Sequence, residues 1–211
     1  MEVFRLVFSP IEVNTYIVAD TTGECAVIDC GCYNEKEFQR LVRFIELKNF
    51  KPVLLLNTHC HLDHVFGNKF MFEKYNLRTH CHREEIPNLK NAPAHAEFFG
   101  LKMDEPPEPE AFIEDGEIIE FGNISLKTMH VPGHTAGGVA FYCEKESCIF
   151  TGDTIFAGSI GRTDLPGGNQ NTLLKSIKEK ILILNPSTVV YSGHGPTTTI
   201  ENELKRNPWL T

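Results

Sequence analysis

Three imidazoles and a carboxylate fall within six residues in the segment Thr58-His59-Cys60-His61-Leu62-Asp63-His64, directly after the apolar run Val53-Leu54-Leu55-Leu56. Imidazole nitrogen and carboxylate oxygen are ligands for zinc, iron and manganese, and so many donors at the end of a buried strand would lack partners without a cation. The segment therefore reads as half of a metal site. The second half of the chain supplies isolated donors, each where a strand pattern gives way to a glycine-rich loop: Pro132-Gly133-His134-Thr135, Thr151-Gly152-Asp153-Thr154 and Gly193-His194-Gly195. Rigid strands ending in open loops are where reactive groups concentrate. A single loop histidine or aspartate is ordinarily a cap or a solvated side chain; the number of them here, added to the first cluster, points to chemistry.

The elements that must hold these groups follow from the apolar patterning. Strand-like runs fall near residues 2–8, 13–19, 24–29, 52–57, 78–81, 117–121, 124–130, 138–143, 147–151 and 187–191, by alternation or continuous apolarity. Helical spacing is found over about 34–48 (Phe38, Leu41, Val42, Ile45), about 67–75, about 171–184 (Leu173, Leu174, Ile177, Ile181) and near 199–206. Gly122 and Asn123 separate two of the strand runs and predict a hairpin turn. The acidic, proline-broken stretch from Met103 to Glu110 reads as a loop within one domain spanning 1–211. Strands grouped around helical zones in both halves suggest sheets packed face to face with helices outside.

Composition narrows the partners. A formal net charge of −8 argues against a nucleic-acid partner. No apolar run approaches the roughly 20 residues that span a bilayer, and Met1 to Val13 lacks the features of an export leader. Seven cysteines at irregular spacings do not form a disulfide framework, so free thiols and a cytoplasmic address are expected. Cys30 and Cys32 lack the second pair that a zinc knuckle requires, and Cys60 alternates away from its flanking histidines in an extended loop.

In their order along the chain, the H-x-H-x-D-H run 59–64, Pro-Gly-His-Thr 132–135, Thr-Gly-Asp-Thr 151–154 and Gly-His-Gly 193–195 resemble the metallo-β-lactamase-fold hydrolases. The stretch from Phe156 through Gly-Arg-Thr-Asp to Gly168 resembles their short glyoxalase II-like branch, the hydroxyacylglutathione-hydrolase-like proteins. The resemblance implies an α/β fold, a four-layer αβ/βα sandwich with two metals at one edge of the sheets. It implies that His59, His61 and His134 hold one ion, that Asp63, His64 and His194 hold the other, and that Asp153 bridges them. Two divalent metal ions are thus the expected cofactors; zinc leads, and iron or manganese suits the same thiolate-free donors. Two such cations, two carboxylates and a shared hydroxide leave a net charge of about +1, which favours an anionic tetrahedral intermediate formed when that hydroxide attacks a carbonyl. Asp63 could also orient the nucleophile, and no serine or cysteine nucleophile is then required.

Asp29 ends a strand and could accept a proton from the far nitrogen of a ligand histidine; its other reading is a turn-forming residue. Arg162 occupies the basic position that would meet a thiol-peptide carboxylate, or else pairs with Asp164. His80, His82, His95 and His130 lie outside the ligand pattern and are expected in surface or structural roles. The longer glyoxalase II enzymes resemble this chain through the metal site but add a helical carboxy-terminal extension that grips glutathione. They also carry a tyrosine where this chain has Pro196 and an aromatic where it has Asp164. The expected substrate is a small thioester, S-lactoylglutathione or a related hydroxyacyl thioester. Persulfide dioxygenation with one iron, or hydrolysis of another ester or a lactone, are the alternatives. A β-lactamase proper ranks low, since such enzymes place cysteine where this chain has Asp153, and a binding module that merely kept the fold would have no need of all seven donors. The oligomeric state is not legible.

Overall fold

The computed structural model describes residues 1–210. The first half builds one six-stranded sheet from β1 (Glu2–Phe8), β2 (Val13–Ala19), β3 (Glu24–Ile28), β4 (Lys51–Leu56), β5 (Thr79–Cys81) and β6 (Ala111–Phe112), in that spatial order. β2 runs antiparallel to both its neighbours, β1 and β3, whereas β3 to β6 are parallel. The parallel steps need crossovers, which α1 (Glu35–Leu47), α2 (Leu62–Val65), α3 (Asn68–Tyr75) and α4 (Ile86–Phe98) supply. The Asn34 side chain caps α1 by accepting from the Glu37 N–H at 3.1 Å. Phe38, Leu41, Val42 and Ile45 then form a buried stripe against the sheet, at about 1.5–3 kcal/mol per side chain.

The second half builds a matching sheet in the order β14-β13-β10-β9-β8-β7, from β7 (Ile118–Phe121), β8 (Ile124–His130), β9 (Val139–Cys143), β10 (Cys148–Gly152), β13 (Val189–Ser192) and β14 (Thr198–Thr199). Between β10 and β13 lie a small ribbon of β11 (Ile155–Phe156) and β12 (Ser159–Ile160), followed by α5 (Gln170–Ser176). The expected hairpin is present, with Phe121 paired to Ile124 around Gly122 and Asn123. Tyr16, Val18, Ile28 and Leu56 from the first sheet meet Leu126, Phe141 and Phe150 from the second in one buried layer. On the far face of the second sheet, Leu173, Ile177 and Ile181 cover Ala140, Ile149 and Val190. Helices therefore lie outside two facing sheets, the architecture expected from the sequence.

Two local expectations change. The helix foreseen over 171–184 ends as an α-helix at Ser176 and continues as a π turn through Ile181, where the Leu182 N–H reaches back five residues to the Ile177 carbonyl at 2.9 Å. The chain between β5 and β6, where no helix was foreseen, carries the thirteen-residue α4. Its Pro87 sits in the first turn, and Leu89, Ala92 and Ala96 are buried beside Cys60 and Cys81 despite the internal Pro93. All seven cysteines are free and buried. No helix among the described residues is long and apolar enough to cross a membrane.

The topology decides where the site falls. β8, β10 and β13 all point the same way, because β9 is antiparallel to both β8 and β10 while β13 is parallel to β10. Their carboxyl ends, and the loops that follow, share one edge. β3 and β4 present their carboxyl ends to the same edge, where the Val139 N–H donates to the Thr58 carbonyl at 2.8 Å and the Asn14 N–H to the Gly193 carbonyl at 2.7 Å.

Candidate metal centre

Four loops deliver the donors to that edge. After β4 the chain stays extended to His61, which precedes the single turn α2; Asp63 and His64 project from that turn. The Asn57 amide ties it down, donating to the His64 carbonyl at 2.8 Å. His134 follows β8, Asp153 follows β10 and His194 follows β13. Two glycines permit the close approach. Gly152, at φ +50, has no room for a Cβ against the Thr58 hydroxyl, and a Cβ on Gly193 would strike the Asp153 carboxylate and the His64 ring.

The seven donors converge as two unlike groups. In one, His134 Nε2 lies 3.2 Å from His59 Nε2 and 2.9 Å from His61 Nδ1. In the other, Asp63 Oδ2 lies 3.0 Å from His194 Nε2 and 3.6 Å from His64 Nε2. Asp153 stands between them: Oδ2 is 3.7 Å from both His134 Nε2 and His194 Nε2, and Oδ1 is 3.4 Å from His64 Nε2. Within each group the ligand atoms lie within 4.8 Å of one another.

The surrounding hydrogen bonds fix which nitrogens are bare. His134 Nδ1 faces the Arg162 carbonyl at 2.8 Å and must donate to it, which leaves Nε2 as a lone pair. The Thr58 hydroxyl donates to Asp29 Oδ2 at 2.7 Å, so it accepts from His59 Nδ1 at 3.1 Å and leaves His59 Nε2 bare as well. Two lone pairs thus face each other across 3.2 Å. His64 Nε2 in the second group and Oδ1 of the intervening Asp153 are buried with no hydrogen-bond partner. Each such group left unmet costs about 1–3 kcal/mol. Cations between these atoms satisfy all of them at once, and the mixed imidazole and carboxylate donors suit zinc, iron or manganese.

The two groups also differ in charge. Burial, and then the neighbouring imidazoles, hold His59 well below the usual histidine range and His61 down to about 3. Burial pushes His64 the same way, but Asp63, Asp29 and Asp153 together outweigh it and raise His64 well above that range. Burial would raise the Asp63 and Asp153 carboxyls; the His64 charge outweighs it, and both lie below the usual carboxylate range.

Asp29, at φ +53, closes β3 in a strained conformation, and its Oδ1 accepts from the Thr58 N–H at 2.8 Å. Its Oδ2 is 3.0 Å from His64 Nδ1, close enough for charge pairing although the ring N–H is not aligned for a hydrogen bond. Arg162 contributes its carbonyl to His134, but its exposed guanidinium makes two hydrogen bonds to Asp164, at 2.8 and 2.7 Å. Cys60 points away into the cluster around Val65, Cys81 and Leu89. His82 and His130 stack with ring centroids 4.3 Å apart, away from the centre.

Sequence reading missed two supports. Glu85 is fully buried and accepts from the Cys60 N–H at 2.8 Å and the Gly137 N–H at 3.0 Å, clamping the loop of His59 and His61 to that of His134. Nothing in Arg83-Glu84-Glu85 separates it from a surface acid. The second is the wall of a cleft of about 890 Å³ that opens from the donors, to which α4 and the residue after it bring His95, Phe98 and Phe99. Their i, i+3, i+4 spacing places them on one face, a signal readable once the helix is known.

A family description, Metallo-beta-lactamase superfamily, matches residues 9–194. The chain belongs to the metallo-beta-lactamase superfamily. It is a metallo-hydrolase of that superfamily, with His and Asp clusters suited to divalent metals. It is 35% identical over 204 residues to the hydroxyacylglutathione hydrolase GloC of Haemophilus influenzae, covering 93% of this chain and 92% of that one. Over 213 residues it is 32% identical to the human mitochondrial persulfide dioxygenase ETHE1, covering 98% of this chain and 75% of the relative. Among solved structures it superimposes on the BLEG-1 B3 metallo-beta-lactamase with a TM-score of 0.92 at 31% identity, covering all of both chains. TTHA1623 in a di-iron-bound form gives a TM-score of 0.89 at 36% identity, covering 98% of this chain and 100% of that one.

Proposed function

We propose that this metallo-hydrolase cleaves a small thioester, S-lactoylglutathione or a related hydroxyacyl thioester, using two divalent ions. The observation that carries the reading is the pair of unlike donor groups that share Asp153 and open into one cleft. His59, His61 and His134 hold one ion, Asp63, His64 and His194 the other, and zinc leads iron and manganese as the occupant. When bound, the ions lower the pKa of a water toward about 7 and polarise the substrate carbonyl. Asp63 also lines the cleft, where its carboxylate would orient the attacking water. Asp29 and Thr58 keep His59 in the tautomer that presents a bare Nε2. A thiol of ordinary pKa, about 8.5, leaves as its anion near neutral pH, so no general acid is needed. GloC, with its 35% identity, supports the thioester class.

The test is a metal count per chain on purified protein beside assays of S-lactoylglutathione, simple esters, lactones and persulfides. Two ions with thioester turnover is the expected result. One iron per chain with oxygen consumption on a persulfide would overturn it in favour of a reaction like that in the name of ETHE1, to which this chain is 32% identical.

A further inference from the structure

We propose that the cleft above the metal centre selects a thioester whose thiol half is apolar and uncharged, an arene or alkane, over one built on a charged peptide such as glutathione. The proposal rests on the thioester reading of the site and narrows it, placing the preferred substrate among the related hydroxyacyl thioesters rather than at the glutathione one. The cleft of about 890 Å³ has His61, Asp63, His134, Asp153 and His194 at its floor. A hydroxyacyl group of three carbons fills little of that volume, so the thiol half must occupy the remainder.

Its walls are mostly apolar, with Ile11, Leu62, Phe156, Leu165 and the Phe98–Phe99 pair from the end of α4 among the lining residues. The two phenyl rings stand edge to face, centroids 5.3 Å apart, and Phe98 is 83% exposed and Phe99 56% exposed. Aromatic rings held in water beside a reaction centre are apolar surface that a ligand can cover. Glutathione carries two carboxylates and one ammonium, and its carboxylates would need cations here. Arg162 is the one lysine or arginine among the described residues that line the cleft, and its guanidinium is already engaged by both oxygens of Asp164. The chain's net charge of −8 also disfavours an anionic thiol half.

The experiment uses the full-length, metal-reconstituted protein and three thioesters that share the lactoyl group: those of glutathione, of N-acetylcysteamine and of benzyl mercaptan. The benzyl thioester should show a KM about tenfold or more below that of the glutathione thioester, with the neutral polar one between. The double substitution Phe98→Ser, Phe99→Ser, at exposed positions, should narrow that ratio to about threefold or less. Calorimetric binding of a non-hydrolysable benzyl thioether should weaken in the same variant by a similar factor, with thermal melting reporting that it remains folded.

Equal or better use of the glutathione thioester, or a ratio that the double variant leaves unchanged, overturns the selection while thioester hydrolysis stands. If no thioester is cleaved yet the thioether binds and the variant weakens it, the apolar selection holds and the reaction class falls. If none is cleaved and the thioether does not bind, both fall.

Discussion

His61 and Asp63 are two residues apart, yet they belong to donor groups with opposite electrostatics. The His59, His61 and His134 group lacks a carboxylate of its own, and burial holds His59 and His61 in the neutral form. The Asp63, His64 and His194 group contains an acid: against the pull of burial, Asp63, Asp29 and Asp153 raise His64, and Asp63 and Asp153 raise His194. One group presents bare nitrogens; in the other, the carboxylates favour protonated imidazole. Asp153, with oxygens 3.4 to 3.7 Å from both, is the one side chain whose loss should affect them together.

That contrast can be broken in graded ways. Asp153→Ala should have the largest effect, lowering turnover by about 10³-fold or more and reducing retention of both ions, measured by metal analysis beside thioester kinetics. Full turnover in this variant would end the bridging assignment. His134→Ala and His194→Ala should each cost about 10²-fold in turnover and leave one ion per chain, a different one in each case. Loss of both ions in both variants would mean that the groups do not act separately.

Glu85→Gln sharpens the comparison from outside the ligand set, because it places a donor where the Cys60 and Gly137 amides already donate. A loss of about 2–3 kcal/mol in unfolding free energy is expected, read by denaturant titration, together with about tenfold weaker metal binding. The second group makes a pH prediction. His64, held well above the usual histidine range by Asp63, Asp29 and Asp153 against the pull of burial, must lose its proton to become a ligand. Metal binding should therefore release about one proton from His64, and affinity should rise with pH, measurable by calorimetry in buffers of different ionisation heat. Uptake rather than release of protons would contradict the charge pattern. Arg162→Ala should change stability by no more than about 0.5 kcal/mol, since its pair with Asp164 is exposed.

How far the site was legible depended on the kind of signal. His59 to His64, His134, Asp153 and His194 stood out because chemistry-bearing residues at the junction of an apolar run and a glycine-rich loop are hard to explain otherwise, and the structure gathers them at one edge. The strands and α1 followed from plain periodicity. α4 did not, because Pro87 and Pro93 argue against a helix and only Leu89, Ala92 and Ala96 mark its buried face. Missing α4 hid the aromatic wall that His95, Phe98 and Phe99 bring to the cleft. Glu85 was invisible for another reason: a buried acid satisfied by backbone amides from residues 60 and 137 has no local pattern, since its partners are set by tertiary contact alone.

The central claim is most directly tested by anomalous X-ray scattering at the metal edge from crystals of the zinc-loaded protein. Two peaks per chain should appear, one among His59, His61 and His134 and one among Asp63, His64 and His194, with the Asp153 carboxylate reaching both. A single peak in a fully active crystal, or peaks away from these side chains, would contradict it.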